Sequence, residues 1–486
     1  MKKRTICCLM SALLAAGLLA GCGSSGSSGT TASTSAAASG ETAASASTDA
    51  ASTDAATESA GAQATGVVKE GVEYTSETDV NDDGTVNNPE SVKVDANNLV
   101  FWSLFTGGDG EWFGKIVDQY NQEKNPDHPV SVITLVWADY YTKLQTAVAT
   151  GNGPDLGVSH VSKLYELAKT GAIEPLDDYL NAAGIKLSDY YEQASVDAVT
   201  IDGKIYAIPL DTHAEVMYYN LDLLKQAGIS EDDVKNISSA DDFKALLQKC
   251  KDSLPEDVSP LALNSSGDDP FRIWYANYFQ KGGADFVNED ATEDTMDADK
   301  AKESMEWLKG LYDDGLILPG IDDESALFQS GKAAFLFAGT WVTGTFENTD
   351  GLNFNNACYP NLFGTNQCWA DSHTLIMPVN SDRTDEESQS CVNFMFSASN
   401  DYGITWAGSG QIPAAINANQ SDEYKSMKGY NVVEELNNAK YAPRATNYYG
   451  GMKAEMIEAL DSYWQGTADI DTALESLQGA IDNNLD

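Results

Sequence analysis

Carboxylates and tryptophans sit together at the ends of apolar runs in this chain, and that pairing suits one kind of chemistry. A sugar presents hydroxyls that donate and accept, together with apolar C–H faces. Its binder needs planar carboxylates or amides beside aromatic rings. Trp137 and Asp139 directly follow the apolar run 129–136. After the run 99–105, Gly107 and Gly108 permit close backbone approach, with Asp109 and Glu111 just beyond. Glu111 suits equally a first-turn position against the helix dipole. Trp341 follows another apolar strand, while Trp274 and Tyr275 lie within the helical stretch 270–280, where core packing competes with ligand contact.

Other chemistries are weighed on the same residues. Asp211 and Asp371 would be the carboxylate pair of a glycoside hydrolase, but nothing in the sequence sets their separation. Beyond the N-terminal segment the arginines are Arg272, Arg383 and Arg444. None stands in a motif loop ready for bidentate contact, which disfavours phosphorylated or dicarboxylate ligands. Arg444, near Tyr441 and Tyr448, is the exception to watch. A cationic solute such as a polyamine fits Asp and Glu beside Trp and is the alternative within the binding class.

The elements that must position these residues alternate. Strands are expected at 99–105, 129–136 and 155–159, with helices at 111–122, 140–149 and 161–169 between and after them. Such spacing makes parallel βαβ units, whose ligands gather at the loops that follow the strands. Segments 204–209 and 215–219 read as strands leaving the first sheet. Later helices are expected at 241–251, 298–312, 386–396 and 470–481, the last with Ile470, Leu474, Leu477 and Ile481 on one face.

Six motifs in order carry a family resemblance. They are Phe105-Thr106-Gly107-Gly108, Thr150-Gly151-Asn152-Gly153-Pro154-Asp155, Asp202 through Pro209, Met217-Tyr218-Tyr219-Asn220, Gly331-Lys332-Ala333-Ala334 leading to Gly339-Thr340-Trp341, and Trp369-Ala370-Asp371-Ser372-His373. The chain from about residue 98 onward resembles the bacterial family 1 extracellular solute-binding proteins, the maltose-binding-protein-like group. The resemblance implies an α/β, two-lobe periplasmic-binding-protein-like fold of type II, with a ligand cleft and a hinge. Lobe 1 would take about 98–209 and 373–400, and lobe 2 about 213–370 and 401–486. The chain would cross near 209–213, 371–373 and 399–402. By that analogy His160, Asp211, His213, Trp369, Asp371 and His373 reach the cleft, and Trp341 resembles the family's stacking tryptophan. The resemblance also implies a sugar ligand, delivery to the permease subunits of an ABC importer, no catalysis and no cofactor. A monomer is expected. Three histidines converging on one cleft also raise a metal site, but they come from separate loops with no HxH or HxxxH spacing, and no metal is expected.

The N-terminus and composition set the compartment. Lys2, Lys3 and Arg4 precede an apolar run from Ile6 to Ala20, too short to span a bilayer and suited to a secretory signal over residues 1–21. Leu19-Ala20-Gly21-Cys22 resembles a bacterial lipobox, which implies acylation of Cys22 and attachment to the outer face of the cell membrane. Residues 22–97 are expected to be a tether, rich in Ser, Thr, Ala and Gly and acidic toward its end. Within it, Asp79, Asn81, Asp83, Gly84 and Glu90 match an EF-hand loop. Pro89 and the lack of helical flanks favour an acidic turn instead. A formal charge of −45 argues against nucleic acid as a partner. Cys358 and Cys368 are close enough to pair in an oxidising compartment, with buried free thiols the alternative.

Overall fold

The computed structural model describes residues 71–75 and 78–486. The expected signal segment, Cys22 and most of the Ser/Thr/Ala/Gly tract lie outside the described residues. Two sheets organise the rest. Their strands, in chain order, are β1 (Leu99–Ser103), β2 (Val130–Thr134), β3 (Leu156–His160), β4 (Ala207–Pro209), β5 (Asp211–Asn220), β6 (Ser259–Ala262), β7 (Ala333–Gly339), β8 (Phe354–Cys358), β9 (Cys368–Asp371), β10 (His373–Ile376), β11 (Ile412–Pro413) and β12 (Ala439–Lys440).

The first sheet has the order β2-β1-β3-β10-β4, with β1 parallel to β2 and β3, and β10 antiparallel to β3 and β4. Its parallel strands are joined through helices Gly108–Gln119 and Tyr140–Thr150, the βαβ arrangement expected from the alternation of apolar runs. The second sheet runs β6-β7-β5-β9-β12, and β8 and β11 also pair with β5. All ten residues of β5 are buried, so this strand is the centre of the second sheet.

Each sheet has its own core. Phe101, Phe113, Leu144, Val158 and Phe394 pack in the first; Tyr218, Phe243, Phe335, Leu460 and Leu477 pack in the second. The chain passes from the first sheet to the second through Leu210 alone and returns through Ser372 alone. Helix Asp385–Phe396, which packs on the first core, starts with a Thr384/Glu387 capping box.

Three expectations change. The folded part begins before residue 98: Val72–Glu73 pairs with Lys93–Val94, and Val86 is buried in the first core with its amide donating to Thr134 O at 2.8 Å. An apolar residue beside a sheet edge is worth burying, whatever the acidity of its neighbours. In that turn the acidic groups take protein donors: Asp83 accepts from Thr85 N and Oγ1 at 3.0 and 2.7 Å, and Asn87 Nδ2 donates to Asp79 at 3.1 Å. β4 does not leave the first sheet but forms its edge. The chain does not change lobes at 399–402, since Tyr402, Trp406, Ala415 and Ala418 still pack in the first core and the second is rejoined at Val432. The four cysteines among the described residues, Cys250, Cys358, Cys368 and Cys391, are free thiols.

Candidate ligand site

Strand alternation builds the site. Successive side chains point to opposite faces, so every second residue shares a face. On β5 that stripe is Asp211, His213 and Glu215; along β9 and β10 it is Trp369, Asp371 and His373. Register joins the stripes, with Asp371 opposite His213 and His373 opposite His160 at the end of β3. Thr212, Ser372 and Thr374 alternate with them and line a separate cavity of about 880 Å³ on the other face.

The floor of the site is closely bonded. Asp211 accepts from His373 N at 2.9 Å and from Trp406 Nε1 at 2.8 Å. Its two oxygens also meet His213 Nδ1 at 3.2 Å and His373 Nδ1 at 2.8 Å. Tyr141 Oη lies 2.7 Å from His160 Nδ1 and accepts from the His160 amide. Burial opposes charge on all three rings, and it holds His160 and His213 below the ordinary histidine range, neighbouring histidines adding to it. At His373 burial is outweighed by Asp211, and the ring is raised. Asp371 accepts from Ser162 N and Oγ and from its neighbour Ser372 N, tying the second crossing to the start of helix Val161–Lys169.

Above the floor is a cavity of about 550 Å³ with residues of both sheets around it. The first-lobe side gives Thr106, Gly107, Asp109, Trp137 and His160; the second gives Trp341, Trp369, Asp268, Asp269, Arg272 and Lys453. The second wall is charged. Helix Asp268–Gln280 turns Asp268, Asp269 and Arg272 to the cavity at i, i+1 and i+4 spacing. The Arg272 guanidinium pairs with Asp269 at 2.5 Å, approaches Glu215 at 3.8 Å, and lies 4.9 and 5.1 Å from the Trp341 and Trp369 ring centres. Lys453 pairs with Asp268 at 2.5 Å. Burial pushes the Glu215 carboxyl up to about 8 and that of Asp109 up to about 6. Both Glu215 oxygens, Asp109 Oδ1 and Arg272 Nε have no hydrogen-bond partner among the described residues.

The structure brings Gly107, Trp137, His160, His213, Trp341, Trp369, Asp371 and His373 to this cavity. It places the others elsewhere. Trp274 is a core residue: it stacks on Tyr278 and Phe286 and donates to Ala301 O, because two residues past Arg272 is the opposite side of the helix. Gly108 faces a second-lobe helix, where an added Cβ would meet Thr345 Oγ1 at 2.5 Å. Glu111 and Asp139 point outward into i,i+4 pairs with Lys115 and Lys143. Asp211 lies under the histidines and does not line the cavity. Arg444 bonds the Asp197 and Thr200 carbonyls, away from this cavity. Asp268, Asp269, Arg272, Tyr449 and Lys453 were not foreseen. The acidic pair one turn before Arg272, opposite Trp274, was the available signal for the first three; Tyr449 and Lys453 offer none locally.

Two sheets with separate cores, two single-residue crossings and a cavity between the cores define a two-lobe solute-binding protein. The profile of the bacterial extracellular solute-binding protein family matches residues 115–431, and the chain belongs to that family. It is 25% identical over 294 residues to a binding protein of Brucella abortus, covering 59% of this chain and 69% of the relative. It is 26% identical over 232 residues to the lactose-binding protein of Rhizobium radiobacter, covering 46% of this chain and 52% of the relative. An ABC substrate-binding protein of Listeria monocytogenes, solved in complex with cycloalternan, superposes with a TM-score of 0.69 at 21% identity over 80% of this chain and 99% of its own.

Proposed function

We propose that this chain is the lipid-anchored, extracytoplasmic binding component of an ABC importer, and that it holds a carbohydrate, an oligosaccharide by preference, in the cavity between its cores. The observation that carries the reading is the lining itself. Indole faces from both lobes (Trp137, Trp341 and Trp369) border one space with carboxylates, imidazoles and a guanidinium. Rings take the apolar faces of a sugar, and the planar polar groups take its hydroxyls. Relatives named for lactose and arabinooligosaccharides support the ligand class. A ligand touching both lobes favours a closed form, which lets a permease distinguish loaded from empty protein.

A polyamine is disfavoured because the acids it would need are already engaged: Asp269 by Arg272, Asp268 by Lys453, and Asp371 by Ser162 and Ser372. Hydrolysis is disfavoured because Asp211 is committed to four contacts beneath the floor. A thermal-shift screen over mono- and oligosaccharides tests the ligand class: a saturable rise in melting temperature without product formation is expected. A panel in which only polyamines shift the melt, or in which an oligosaccharide is cleaved, replaces this reading. Anchoring is tested separately. Cys22→Ala should abolish acylation and release the protein from the membrane fraction, and a variant that stays acylated defeats the lipoprotein assignment.

A further inference from the structure

We propose that His160, His213 and His373 bind a divalent transition-metal ion of the zinc class through their Nε2 atoms, with a fourth coordination position open to the cleft. The sequence argued against such a site because no two histidines have ligand spacing along the chain. Topology removes that objection. His160 and His373 are register partners across β3 and β10, and His213 is brought beside them by the pairing of β5 with β9. One nitrogen from each ring lies within 4.8 Å of the other two, and all three residues are buried. Ligands of a tetrahedral ion at about 2.1 Å stand roughly 3.4 Å apart, so small ring movements would complete the set.

The partners behind the rings make the stronger argument. Metal-binding histidines as a rule give their other nitrogen to a carboxylate or similar acceptor, which fixes the tautomer and aims the free lone pair. Here Asp211 holds Nδ1 of both His213 and His373, and Tyr141 Oη holds Nδ1 of His160. Trp406 Nε1 in turn fixes Asp211. With Nδ1 taken, Nε2 is the nitrogen that remains on each ring, and all three residues line the cavity. Three imidazoles stand with ring centres 4.2 to 5.5 Å apart, and a single cation, displacing any proton held at His373, would satisfy all of them. The ion would bridge the lobes, since His160 and His373 belong to the first sheet and His213 to the second. Its fourth position faces the cavity and takes water or an oxygen of the solute; only this last role rests on the proposed function.

The test uses the full chain, stripped with EDTA and kept free of any sugar, so that its outcome is separate from that of the ligand reading. Calorimetric titration with Zn²⁺ should show one site per chain. His160→Gln and His213→Gln should each weaken it by more than about 100-fold, with circular dichroism reporting their folding. Co²⁺ should give the visible absorption of a tetrahedral site in the wild-type protein, displaced by one equivalent of Zn²⁺; this arm needs no variant. Absence of saturable Zn²⁺ uptake near 10 µM or below, absence of the Co²⁺ band, or uptake unchanged in both variants overturns the proposal.

Discussion

The floor and the second-lobe wall of the cavity are built from similar residue types and solve opposite problems. On the floor, Asp211 has a donor on every side and Asp371 is shared between Ser162 and Ser372. Behind the wall, fully buried Glu215 has no hydrogen bond to either oxygen among the described residues, and on the wall Arg272 leaves Nε unused while facing three acids. A buried polar group is stable when satisfied and costly when not. The floor is therefore spent on holding the two crossings in place. The wall keeps an incompletely bonded Arg272 next to the Trp341 and Trp369 rings, with Glu215 unsatisfied behind it.

That contrast predicts the largest stability loss on the floor. Asp211→Ala strands His213, His373 and Trp406 in a buried site, and should cost on the order of 3–5 kcal/mol in urea unfolding. A loss below about 1 kcal/mol would mean the network is not structural. On the wall the effect should fall on affinity instead. Trp341→Ala should weaken binding of the solute found in the screen by about 2–4 kcal/mol in calorimetry, with the fold intact by circular dichroism. Asp371→Ala, which sits between floor and cavity, should cost about 1.5–3 kcal/mol of affinity. If both variants bind within a factor of about two of wild type, the site lies elsewhere.

Per pH unit the smallest effect is a pH dependence that belongs to Glu215, buried behind the wall. Burial raises Glu215 from 4.5 in the unfolded chain to about 8 in the folded one. The folded state then binds the extra proton between those values, so wild-type stability falls as pH rises through that window. Glu215→Gln removes this slope. Its stability relative to wild type should climb with pH from about 5 to 8, by at most on the order of 1.4 kcal/mol per unit. A difference that stays flat over this range would show that Arg272 keeps Glu215 ionised throughout.

What could be read from the sequence follows the same division. The apolar alternation of 99–105 and 129–136 and the helix 161–169 are local patterns, and the strands and helix stand where those patterns put them. The trio Trp369, Asp371, His373 was legible only as a family motif; that strand alternation puts the three on one face is what the structure adds. The Asp211 role was not, since a carboxylate under two histidines cannot be told from one beside a ligand without the register of β5 against β9. Trp274 was misassigned because its helix carries aromatic side chains on most of its circumference. Lys453 and Tyr449 reach the cavity from a segment nearly two hundred residues beyond Arg272, and only packing connects them.

The crossings have a mechanical consequence. Leu210 N donates to His373 O, Ala414 N donates to Leu210 O, and β9 and β11 both pair with the first residues of β5. Two bodies tethered at one point can swivel about any direction. Tied along a hydrogen-bonded strip, they keep one easy motion, folding about that strip as covers fold about the spine of a book. Twisting or sliding would have to break the ladder that the first residues of β5 share with both neighbours.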